Sequence, residues 1–88
     1  MPGVARVGQD KTGNIIIGPG APSVFVDGKI VAVTGDSVVP YGTGCKSSPK
    51  LGPGSNTVFA EGKPVCRKGD KDICGTPITP GSNTVNAG

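Results

Sequence analysis

Val31-Ala32-Val33-Thr34-Gly35 decides the fold of this 88-residue chain, because the chain repeats it three times. Upstream the stretch takes the form Val4-Ala5-Arg6-Val7-Gly8, and downstream Val65-Cys66-Arg67-Lys68-Gly69. A second signature follows each copy: Pro19-Gly20-Ala21-Pro22-Ser23-Val24, Pro53-Gly54-Ser55-Asn56-Thr57-Val58, and Pro80-Gly81-Ser82-Asn83-Thr84-Val85. The copies start 27 and then 34 residues apart. Three similar units in one chain predict a body with pseudo-threefold symmetry, suited to meet something truly threefold.

Just before the central stretch, Asp27-Gly28 separates Val24-Phe25-Val26 from Lys29-Ile30-Val31. An Asp-Gly pair between apolar runs is a strong two-residue hairpin signal, since glycine takes the positive φ that such a turn needs. Glu61-Gly62 repeats the device between Thr57-Val58-Phe59-Ala60 and Lys63-Pro64-Val65. Each hairpin joins the end of one unit to the start of the next, and the chain stops where a third turn would begin. No segment carries apolar residues at helical spacing over a useful length. The expectation is all-β: a single domain with units at about 4–27, 31–61 and 65–88, and no extension domain. Closure of the units around an axis would remove the free sheet edges of a linear array.

Composition limits what such a body can do. Apolar residues make up 34% of the chain, with one Tyr, two Phe and no Trp. A core of Val, Ile and Ala leaves little margin at this size, so help is expected from a metal, a disulfide or a partner. Sixteen glycines and nine prolines would argue for disorder without a period; with one, they read as turn residues at repeated places. The net charge is +3, with Lys and Arg spread along the chain and no aromatic stacking platform, so nucleic-acid binding is not expected. Met1-Pro2-Gly3 leads straight into the first unit, which leaves no room for a signal peptide, and Ile15-Ile16-Ile17 is the longest apolar run. The expected origin is therefore the cytosol.

From the glycine of the first signature to that of the second is 12 residues in the outer units (Gly8 to Gly20, Gly69 to Gly81) and 19 in the middle one (Gly35 to Gly54). The extra residues fall within 37–50, a turn-rich surface excursion that contains Tyr41 and Cys45. Asp10, Asp36 and Asp70 recur after the first-signature glycines, where aspartate braces turns through side-chain to backbone hydrogen bonds. With no histidine, a nucleophile-base pair is missing, and no enzyme is expected.

Taken together, these pieces resemble the PAAR-repeat proteins, which sharpen the tips of phage tail spikes and of type VI secretion spikes. The resemblance rests on Val4-Ala5-Arg6-Val7-Gly8, Gly28-Lys29-Ile30-Val31-Ala32-Val33-Thr34-Gly35-Asp36, Gly62-Lys63-Pro64-Val65-Cys66-Arg67-Lys68-Gly69-Asp70 and the three Ser-containing segments that follow. It implies a small cone of short β-hairpins around a pseudo-threefold axis. It also implies that one cap sits on each trimeric β-helical spike and that the target-cell membrane is contacted transiently. No nucleic acid and no small-molecule substrate are implied. The base is expected to include parts of the three Val-rich strands. A free-standing module for a small ligand or metal is the alternative, with Tyr41 and its glycine-rich loop as the only candidate site.

Many members of that family hold a metal, usually zinc, near the apex through three histidines and a cysteine. Here Cys74 fills the cysteine position, while Asn14 and Tyr41 lie near where histidines often fall. Cys45 and Cys74 both follow a Gly-Asp pair, and three readings stay open: ligands of one zinc or iron ion, a disulfide pinning the apex, or two unbonded thiols. Cys66 stands where Ala5 and Ala32 stand in the other units, so it reads as a small buried residue.

Overall fold

The computed structural model describes residues 2–88. At its centre the three first signatures form a closed ring. Arg6 bridges Val31, Val33 bridges Val65, and Arg67 bridges Val4, all antiparallel. The backbone bonds are cyclic too: Ala32 N–H donates to Ala5 O (2.9 Å), Cys66 N–H to Ala32 O (3.0 Å), and Ala5 N–H to Cys66 O (2.9 Å). A second triplet braces the rim, from Val7 to Ile30, Thr34 to Pro64 and Lys68 to Gly3. Each segment is paired on both sides, so no edge of the ring is left to recruit another strand.

Two short hairpins and one further strand pair surround this ring. Strand β1 (Ile16–Gly18) pairs with β4 (Ser37–Val38), β2 (Ala21–Val26) with β3 (Lys29–Val31), and β5 (Phe59–Ala60) with β6 (Lys63–Pro64), each antiparallel. The two predicted turns are present, with φ of 54° and 78° at Asp27 and Gly28 and 52° and 79° at Glu61 and Gly62. Positive φ at both central residues is the hairpin turn that matches strand twist. One 3₁₀ turn, Gly44–Ser47, lies in the middle loop, and no α-helix occurs among the described residues.

Alternation along the ring sorts side chains into two layers. Val4, Val31, Val33 and Val65 join Ala21, Val26, Ala60 and Ala87 beside the hairpin turns. The intervening Ala5, Ala32 and Cys66 face the other way and pack with Ile16, Val38, Leu51 and Ile78 beneath the loops. Only small residues fit where three segments converge, and all three are fully buried. The fold is therefore all-β, with hairpin tips at one end and the three loops at the other. Its extents are 33 × 23 × 21 Å.

Equal residue counts in the outer units conceal different registers. Ile16, Leu51 and Ile78 are the true equivalents, since their carbonyls accept from Gly8, Gly35 and Gly69 and their amides donate to Asp10, Asp36 and Asp70. The first unit carries an extra Gln9 before its aspartate and an extra Ile17 after its isoleucine, offset by a shorter loop between. Ile17 falls at the register shift of the β1–β4 pair and stands 54% exposed.

Candidate functional site

At the hairpin end, an acceptor from each unit grips a neighbouring unit. The Asp27 carboxylate accepts from Ser82 Oγ (2.7 Å), Thr84 Oγ1 (2.6 Å) and Arg6 Nη1 (3.0 Å). Glu61 accepts from the amide (2.8 Å) and hydroxyl of Ser23. In the third unit the Gly88 carbonyl takes this role, accepting from Ser55 Oγ and from Thr57 Oγ1 (3.1 Å). The first unit thus holds the third, the second the first, and the third the second. Hydroxyl donors hold the Asp27 and Glu61 carboxyls below the usual carboxylate range. These clasps escape a local sequence reading, although the aligned Asp27 and Glu61 and the Ser/Thr pairs were visible.

The same end presents apolar side chains to solvent. Phe25 and Phe59 occupy equivalent places and are 61% and 57% exposed; Asn86 takes the third place. Val58 and Val85 are exposed beside them, while their equivalent Val24 packs partly against the core. The Val-rich strands of the ring, expected to supply parts of the base, keep Val4, Val31 and Val65 inside. All three are at most 3% exposed, because closing the ring turns them into the interior. The exposed apolar side chains of this end belong to the last residue of the second signature and the residue after it.

At the loop end, each aspartate of the first signature braces its turn. Asp10 accepts from Arg6 N (2.8 Å), Asp36 from Val33 N (2.9 Å) and Asp70 from Arg67 N (2.9 Å). Two also reach a neighbouring unit, Asp10 to Gly81 N (3.1 Å) and Asp36 to Gly20 N (3.0 Å). Burial raises the Asp36 pKa, although these amide bonds work against the shift. The repeated carboxylates are spread around the ring as turn braces, not paired for acid-base chemistry.

The middle loop clamps its neighbours. Cys45 and Cys74 form a disulfide with Cα atoms 5.7 Å apart, joining the second unit to the third. The Tyr41 hydroxyl donates to the Asp72 carboxylate and lies 3.0 Å from Thr76 Oγ1. Its ring leaves no space for a side chain at position 13 of the first unit, where an added Cβ would come within 2.2 Å of it. Tyr41 is therefore a packing centre between all three loops. Burial favours a protonated Asp72, but the Tyr41 hydroxyl and the Thr76 and Cys74 amides outweigh it and hold the pKa below the ordinary value. Asn14 turns to its own backbone, its Oδ1 accepting from Ile15 N (2.8 Å). Cys66 takes no part in the disulfide and is fully buried in the layer against which Tyr41 packs, with burial pushing its thiol pKa up to about 12.

These residues do not fit the metal centre that the resemblance implies. Zinc takes thiolate or imidazole ligands, normally four of them. The chain has no imidazole, and the sulfurs of Cys45 and Cys74 are bonded to each other. Asp72 is committed to Tyr41 and two amides, and no group of three or more His, Cys, Asp or Glu among the described residues could hold an ion.

No curated protein matches the chain. The PAAR motif family model matches residues 7–80, which take in two of the three ring segments, both hairpin turns and all three loops. The chain belongs to the PAAR-repeat family of spike-tip proteins.

Proposed function

We propose that this chain caps a trimeric β-helical spike of a phage tail or secretion system, one copy per trimer, and sharpens it for membrane penetration. In this reading, the three units at about 4–27, 31–61 and 65–88 act as one rigid domain. It is made in the cytosol and assembled onto the spike, and touches the target membrane transiently. The observation that carries the reading is the recurrence of Phe25 with Phe59, and of Val58 with Val85, on the hairpin end of a closed threefold ring. The end of a trimeric β-helix exposes three equivalent sets of unpaired backbone and apolar core groups. A single chain meets all three only if it presents three similar faces. The Cys45–Cys74 disulfide and Tyr41 then stiffen the forward end in place of a metal.

The test is reconstitution with the trimeric spike protein of the source phage or secretion system. The expected complex contains one cap per three spike chains. Burying a phenylalanine contributes about 1.5–3 kcal/mol, so replacing Phe25 and Phe59 with Ser should weaken binding at least a hundredfold while leaving the melting temperature within a few degrees. Absence of a complex, or a double variant that binds as well as the parent, would refute docking through this face.

A further inference from the structure

Folding gathers charge that is scattered in the sequence. Lys11 lies in the first loop, Lys46 and Lys50 in the second and Lys71 in the third, and all four are exposed. The loops carrying them are held together. Lys11 exchanges both backbone bonds with Thr79, and Lys50 O accepts from Ile73 N (2.9 Å). Lys71 O accepts from Gly52 N (2.9 Å), while Lys46 Nζ stands 5.8 Å from the Tyr41 ring centroid. The carboxylates of this end point the other way. Asp10 lies beneath the Arg6 guanidinium and Asp70 against that of Arg67. Asp36 is buried on two amides, and Asp72 is buried under Tyr41. Ammonium groups thus face outward and acids inward. Ile73, 60% exposed, stands among the lysines.

We propose that the loop end is a docking surface for an anionic phospholipid bilayer. It rests on the proposed function for which end leads, but not on any contact with the spike. Basic groups near an anionic surface are attracted by the lipid headgroup potential, and an exposed isoleucine among them can enter the headgroup layer. The surface has no exposed acid to repel phosphates among the described residues. Its one aromatic ring, Tyr41, is engaged inside the loop clamp, so successive nucleic-acid bases have no platform on which to stack. A lipid surface, which asks only for charge and a shallow apolar contact, fits better.

The experiment uses the whole oxidised chain and large vesicles of phosphatidylcholine with or without one-third phosphatidylglycerol, read by co-sedimentation at low and at 0.5 M salt. Selective binding to the anionic vesicles is expected, lost at high salt because the Debye length falls to a few ångströms. Each lysine should contribute about fivefold. Replacing Lys11, Lys46, Lys50 and Lys71 with Gln should therefore lower the partition coefficient by about two to three orders of magnitude. Phe25→Ser with Phe59→Ser, at the other end, should leave it unchanged. Equal binding to uncharged vesicles, an undiminished quadruple variant, or tighter binding to single-stranded DNA than to the anionic vesicles would overturn the proposal. A chain that binds the spike but not vesicles loses only this inference; one that binds vesicles but not the spike loses only the docking reading.

Discussion

Breaking the Cys45–Cys74 bond is the sharpest test of how this small body is held together. The bridge spans a sequence separation of 29 and closes the loop region of two units. In the chain-entropy description, a crosslink of that span removes about 12 cal/mol/K from the unfolded ensemble, or about 3.6 kcal/mol at 25 °C. That is large beside the total stability of about 5–15 kcal/mol for a typical domain. With an unfolding entropy of about 2.1 cal/mol/K per residue, the melting temperature should drop by about 15–25 °C on reduction. Calorimetry of the oxidised parent, the reduced parent and the double variant Cys45→Ser, Cys74→Ser measures this. The reduced parent and the variant should melt together, and reductant should not move the variant. Zinc should not restore the reduced protein, which lacks imidazole ligands. A loss below about 1 kcal/mol, or full rescue by one equivalent of zinc, would refute the account of the loop end as a covalent clamp.

The remaining tests probe the ring and its charges. Native protein should show no thiol reactive to an aromatic disulfide reagent, and denatured protein one, because Cys66 is buried with its pKa near 12. Cys66→Leu should cost about 1–3 kcal/mol by overfilling the layer shared with Ala5 and Ala32, read from urea midpoints. Gly54→Ala should destabilise more than Gly62→Asn. At position 54 an added Cβ falls 2.5 Å from the Val65 carbonyl oxygen, whereas position 62 has open space and a positive φ that Asn adopts. Acid should unfold the protein below about pH 4. The lowered pKa values of Asp27, Glu61 and Asp72 give stability that is present above their unfolded values and lost as pH falls through the folded ones. Asp36 has the opposite sign: its raised pKa gives stability that is present at low pH and lost as pH rises through the folded value. Melting curves across pH 2–6 should therefore be flatter for Asp72→Asn and steeper for Asp36→Asn.

The sequence by itself determined the threefold repeat, the two hairpin turns and the aspartate braces. Each depends on residues close in the chain, where glycine's φ range and the reach of an aspartate side chain fix the local answer. It also placed Cys66 inside, by alignment with two alanines. Only the tertiary structure decided the rest. Ring closure buried Val4, Val31 and Val65 and moved the exposed apolar face to Phe25, Phe59, Val58 and Val85. It also brought Asp27, Glu61 and Gly88 to hydroxyls 31 to 57 residues away. The pairing of Cys45 with Cys74, and the gathering of four lysines at one end, likewise depend on how three loops fold over one layer. Period and turn chemistry are local properties, but a face or a pairing is a relation between distant segments. Here that relation is set by a ring that exists only when all three units are in place.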